Sequence, residues 1–296
     1  MMSEQDPVVR MAGMGLLDRA RAVAELARPD LVLGAGLFVV AGEILALGQL
    51  PAAGTALLGF LTGLFVSGSA NISNDYFDRE VDRVNRPDRP LPSGRVSVGE
   101  LWALFLVFAA AGLAAAALLG PAVFALAATV WGVALFYNVR LKEAGFLGNL
   151  AVAFCVSMTV VIGGTAAGAV NGLVLTFAGL AFLFDLGEEI ASDAMDVEGD
   201  SVRSSRSIAA TAGRAQALRL SGVAFALFVA LTFLPYAAGW LGPLYLVCAA
   251  GAGLGMSYLA ARLVRSTTIA EGRVFGRRLY LAWGGVVVLF VLASLL

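Results

Sequence analysis

Long apolar stretches alternate with short polar breaks along most of the chain, and the breaks are of two kinds. Those near Gly48–Gly54, Gly120–Pro121, Gly164–Gly172 and Ala237–Gly242 carry no Lys or Arg, whereas the breaks between them are rich in charge. A helix rises about 1.5 Å per residue, so an apolar run of about 20 residues is long enough to cross a hydrocarbon core. The pattern predicts nine such helices, roughly 31–49, 52–73, 100–119, 121–138, 146–168, 172–190, 216–237, 240–262 and 276–296. They are apolar all round, so length rather than periodicity identifies them. Residues 1–30 are polar and amphipathic, a cytoplasmic or interfacial arm without the apolar core of a cleavable signal. Within it, residues 15–28 are expected to lie on the membrane surface with Leu16, Leu17, Val23 and Leu26 against lipid.

Composition agrees with a polytopic membrane protein: 59% of residues are hydrophobic, only 14% are charged, and the mean hydropathy is +0.86. The expected fold is an all-α bundle of nine transmembrane helices in which residues 1–296 form one domain. All twenty Lys and Arg residues fall in the N-terminal arm or in alternate loops, Arg79 to Arg95, Arg140 with Lys142, Arg203 to Arg219 and Arg262 to Arg278. The positive-inside rule then places those loops and the N-terminus in the cytoplasm of a cell-membrane protein. A net charge of −1 conceals this polarity. Nucleic acid is not an expected partner, because the arginines are interleaved with acids rather than gathered in a basic stripe. Cys155 and Cys248 lie inside expected spans without metal-ligand spacing and read as small buried hydrophobes.

Two acidic clusters stand out from this apolar background: Asn74, Asp75, Asp78 and Asp82, and Glu189, Asp193, Asp196 and Asp200. Asn74, Asp78 and Asp82 are four apart, and the second set runs i, i+4, i+7, i+11, so each would line one face of a helix. Either cluster alone reads rather as a solvated polar helix end, but two with one geometry imply joint use. Stacked carboxylates repel, and oxygen-rich stripes in a chain without His suit a hard divalent cation, Mg2+ above all, held by a few carboxylates and a phosphate. Asp185 either extends the second face or pairs with a neighbouring helix.

Arginines follow each cluster. The loop at 74–97 continues through Arg83, Arg86, Arg89 and Arg95, punctuated by Pro87, Pro90 and Pro92, and the loop at 188–209 through Arg203 and Arg206. Carboxylates holding a metal beside guanidinium forks suit a metal–diphosphate. Tyr137, Arg140 and Lys142 cluster at the same side, where the two bases serve either as topological anchors or as ligands. Glu43 reads as an interfacial residue near the outer end of the first span.

The motifs NDYFDREVD, at Asn74, Asp75, Asp78 and Asp82, and DAMDVEGD, at Asp193, Asp196 and Asp200, together with the nine-span layout, resemble the UbiA superfamily of intramembrane prenyltransferases over essentially the whole chain. The resemblance implies a helical bundle around a central cavity, with Mg2+ bridging both motifs and an isoprenoid diphosphate. Asn74, Asp78, Asp82, Asp193, Asp196 and Asp200 would then serve as metal and catalytic residues. Arg28, Asp75, Arg86, Arg89, Tyr137, Arg140, Lys142, Glu189, Arg203 and Arg206 would bind substrate. The runs NRPDRPLPSGR, YNVRLK and EIASDAMDVEGD look most like geranylgeranylglyceryl phosphate geranylgeranyltransferases, implying geranylgeranyl diphosphate as donor and a lipid acceptor. Glu188 and Ser192 depart from that group, which usually carries a basic residue and Lys there. Alternatives are an aromatic or chlorophyll-type prenyltransferase, a terpene cyclase on the same fold, or a cation-coupled transporter. Against the last, the acids other than Glu43 gather on or near one side, whereas a translocation path needs polar groups near the midplane.

Overall fold

The computed structural model describes residues 15–196 and 206–295, the Leu16 side chain apart. Helix α1 (Leu16–Ala27) precedes α2 (Pro29–Leu47), α3 (Ala53–Phe77), the short α4 (Arg79–Asn85), α5 (Val98–Leu119) and α6 (Pro121–Phe136). A π-helical turn, Tyr137–Leu141, extends α6, and α7 (Phe146–Ala166) and α8 (Gly172–Met195) follow. The chain ends with α9 (Ile208–Ala212), α10 (Arg214–Leu231), α11 (Leu234–Ala237), α12 (Pro243–Val264) and α13 (Ile269–Ala293).

Local chemistry sets the boundaries. Pro29, Pro121 and Pro243 open their helices at the position where a missing N–H costs nothing. Ser97 and Glu100 close a capping box on α5, and the Asn171 side chain caps α8 by accepting from the Val174 amide at 3.0 Å.

Eight helices among the described residues are long and apolar enough to cross a membrane. The sixth expected span, α8, is 24 residues long, but Asp185, Glu188 and Glu189 in its second half leave it short of that apolarity, so the count of nine is not reached. The last helix begins at Ile269 rather than near 276, with Thr268 capping it by accepting from the Glu271 amide at 3.1 Å. Arg273, Arg277 and Arg278 therefore stand on helix, not in a loop. The amphipathic N-terminal segment also differs from expectation: Ala22 and Leu26 are buried against Ile72, Leu101 and Phe105, so much of its apolar face meets protein rather than lipid, although Leu17 stays exposed.

Helix α8 lies at the centre, packed against α7, α10, α13 and α2. Its Phe184 stacks on Trp283 of α13 with ring centres 5.1 Å apart, and Phe228 of α10 meets the same indole edge-on at 5.3 Å. Helices α2 and α7 cross where Gly42 faces the Val160 carbonyl and Gly163 faces the Val39 carbonyl, so a Cβ at either position would strike backbone oxygen. Such small-residue contacts let membrane helices approach closely. Glu43, expected at the interface, is fully buried there, packed on Gly59 with no hydrogen-bond partner for either carboxylate oxygen.

Candidate active site

The first acidic motif keeps its one-sided geometry across a helix break. Asp78 ends α3 with φ −88° and ψ −5°, yet its amide donates to the Asn74 carbonyl at 2.9 Å and the Asp82 amide donates to the Asp78 carbonyl at 2.8 Å. Four-residue backbone bonds thus link all three motif positions. The second motif ends α8: Glu189 and Asp193 lie on its final turns and Asp196 caps it. Asp200 and Arg203 lie outside the described residues.

Every carboxylate of the first motif meets a cation. Arg28 donates to Asn74 Oδ1 at 3.2 Å and to Asp75 Oδ1 at 2.9 Å. Arg89 lies 2.6 Å from Asp82 Oδ2 and 3.5 Å from Asp75 Oδ1, and Lys142 Nζ pairs with Asp78. Asp75, Asp78 and Asp82 are buried, so these charges are compensated where water screens them little. Arg28 joins α1 to α2 in a left-handed conformation, φ 56° and ψ 79°, the only described non-glycine residue with positive φ. Strain of this kind persists where surrounding contacts hold it, here the two hydrogen bonds that Arg28 Nη2 gives to Asn74 and Asp75.

The sequence reading missed several partners. Asn138 is buried and accepts from Asn74 Nδ2 at 3.1 Å while donating to the Ala70 carbonyl and Ser73 Oγ, which fixes the Asn74 amide. Asn149 donates to Asp193 Oδ2 at 3.0 Å, and Arg273 of α13 lies 2.9 Å from Asp196 Oδ1. Asn138 stands inside the YNVRLK run and Asn149 in the Gly148–Asn149 pair, both part of the resemblance, but neither spacing points to the acid or amide it meets, and Arg273 falls where the sequence reads as a loop. Arg95 fastens the first loop to α1 through Glu25 at 2.6 Å, and that carboxylate pushes the guanidinium further up its already high range.

A cavity of about 540 Å³ joins these parts, lined by Arg28, Asn74, Asp78, Asp82, Arg86, Arg89, Tyr137, Lys142 and Asp196, with Arg273 at its rim. A second cavity of about 420 Å³ shares Arg28, Arg86 and Arg89 with it and reaches Asp75. Glu189 and Asp193 are half-buried on α8, Glu189 within electrostatic reach of Lys142. Arg140 points out of the π-helical turn and is exposed. Arg206 is exposed too, its amide donating to the Glu143 carbonyl at 3.3 Å.

Among the described residues no three His, Cys, Asp or Glu side chains form a closed metal cage. The donors present are carboxylate and amide oxygens beside arginine and lysine bases, which fits Mg2+, an ion that takes one or two carboxylates and completes its shell with water and phosphate.

Residues 35–293 match the UbiA prenyltransferase family. A digeranylgeranylglyceryl phosphate synthase of Thermococcus gammatolerans is 38% identical over 220 residues, 74% of this chain and 79% of the relative. A solved structure of a digeranylgeranylglyceryl phosphate synthase superposes with a TM-score of 0.78 at 24% identity, covering 94% of this chain and 99% of the other. A UbiA homologue from Archaeoglobus fulgidus, bound to GPP and Mg2+, superposes with a TM-score of 0.70 at 19% identity over 93% of this chain and 99% of its own. The family match, the shared fold and the two acidic motifs agree: this chain belongs to the UbiA prenyltransferase family, as an integral membrane protein.

Proposed function

We propose that this enzyme transfers a geranylgeranyl group from its diphosphate to the free glycerol hydroxyl of geranylgeranylglyceryl phosphate, forming the second ether bond of a lipid, at the cytoplasmic face of the cell membrane. The observation that carries the reading is the convergence of Asn74, Asp78, Asp82 and Asp196 with Arg28, Arg86, Arg89 and Lys142 around one cavity. The name shared by the relatives at 38% identity supports the acceptor, and the charged loops at the site end support the orientation.

Asn74, Asp78, Asp82, Asp193 and Asp196, with Asp200, would hold Mg2+, which when bound offsets charge on the diphosphate and promotes departure of that group. The guanidinium forks of Arg28, Arg86 and Arg89 bind phosphate oxygens in two-point fashion, and Lys142 adds a point charge beside them. Asn138 holds the Asn74 amide in one orientation. Apolar helices around the site keep bulk water from the allylic cation before the acceptor reaches it.

The test is incubation of purified protein with Mg2+, labelled geranylgeranyl diphosphate and a panel of acceptors, with products identified by mass. Digeranylgeranylglyceryl phosphate is expected. An aromatic product, or cyclised donor without acceptor, would retain the family and overturn the acceptor.

A further inference from the structure

Helix α8 carries a ladder of carboxylates that runs into the bundle from the end of the helix where Asp196 lines the cavity. Asp185, Glu189 and Asp193 are four residues apart and share a face. Asn149 holds Asp193, while Glu189 lies within reach of Lys142, which lines the cavity and pairs with Asp78. Asp185 is the innermost rung, about 6 Å beyond Glu189 and about 12 Å beyond Asp193 by helix rise. Its Oδ2 is buried and accepts no hydrogen bond. Cys155 of α7 and Tyr280 of α13 both lie within its electrostatic reach, which places it among the helices flanking α8.

A buried carboxylate oxygen without a donor is costly to keep, and its lone pair is open to a hydroxyl that arrives with substrate. The described acids of the two motifs are poorer candidates for that hydroxyl. Arg28 and Arg89 hold Asp75, Arg89 holds Asp82, Lys142 holds Asp78, Asn149 donates to Asp193 and Arg273 holds Asp196. A diphosphate bound among the bases of the cavity, with its prenyl chain turned into the apolar bundle, would bring the allylic carbon toward the level of Asp185, two turns below the motif.

We propose that Asp185 is the catalytic base that accepts the acceptor's hydroxyl proton, an assignment that rests on the transfer to an alcohol proposed above. The acceptor oxygen bonds to the allylic carbon, and the bond from that carbon to the diphosphate breaks with its electron pair leaving on the diphosphate. The O–H proton passes to Asp185 Oδ2, one helical turn below Glu189.

The test compares wild type with Asp185→Asn, full length and supplied with Mg2+ and geranylgeranyl diphosphate. Two acceptors are used: geranylgeranylglyceryl phosphate, and its analogue with a thiol in place of the free hydroxyl. A thiol is more acidic than an alcohol by roughly seven pKa units and needs little help to lose its proton. Asp185→Asn is expected to lower ether formation about a hundredfold or more, the usual range for a lost general base, and thioether formation less than about threefold. Donor binding, measured by competition with an unreactive diphosphate analogue, is expected to stay at the wild-type level and reports that the variant is folded. Equal losses with both acceptors, an unchanged ether rate, or lost donor binding overturns the base role while leaving the proposed reaction standing. A wild-type protein that makes neither product overturns both.

Discussion

Asp78 and Asp196 stand on opposite sides of one cavity, each facing a base, Lys142 and Arg273 respectively. Replacing either acid with alanine removes a proposed metal donor and strands the base, so turnover is expected to fall at least about a hundredfold, roughly 3 kcal/mol of barrier. Chelation should abolish product formation and added Mg2+ restore it; unchanged turnover in excess chelator would remove the metal from the mechanism. Arg28→Lys keeps the charge but removes the planar guanidinium, one nitrogen of which donates to both Asn74 and Asp75 and whose other nitrogens remain for phosphate oxygens, and a donor KM raised about tenfold is expected in steady-state assays. At this scale the acids were legible because four-residue spacing is a local signal. Which acid each base meets was not, even for Arg28, already among the candidates, since Arg28 lies 46 residues from Asn74 and Arg273 lies 77 from Asp196, separations that only tertiary packing brings together.

Helix lengths were legible for the same reason: an apolar run of fixed length carries its own signal, and the π-helical turn at Tyr137–Leu141 changes no span. The start of α13 was not, because a segment with Glu271, Arg273, Arg277 and Arg278 in its first three turns has the composition of a loop, and α1 misled because an amphipathic face does not say whether lipid or protein covers it. The crossing of α2 and α7 offers a test of packing. Gly163→Ala would drive a methyl group into the Val39 carbonyl, and a cost of about 1–3 kcal/mol is expected, seen as a lowered apparent Tm in detergent. Glu43 in the same region has the opposite expectation: Glu43→Met removes a buried carboxylate without partners and should raise the apparent Tm, a gain of about 1–4 kcal/mol by analogy with replaced buried charges. A lowered Tm for Glu43→Met would mean that the carboxylate is held by an interaction the packing does not reveal.

Across the bundle, the described residues of the two acidic motifs and of the charged loops gather at one end, while the turns at the other end carry no Lys or Arg. That asymmetry was visible in the sequence, because loop charge is a property of short segments and needs no knowledge of packing. It yields a direct test of the proposed orientation. In a background with Cys155 and Cys248 replaced by alanine, Val84→Cys reports on the site end and Leu50→Cys on the opposite end; both side chains are exposed, at 68% and 72%. With an impermeant thiol reagent outside intact cells, Leu50→Cys is expected to react and Val84→Cys to react only after the membrane is opened. Reaction of Val84→Cys from outside would invert the protein, and donor and acceptor would then have to reach the cavity from the outer face.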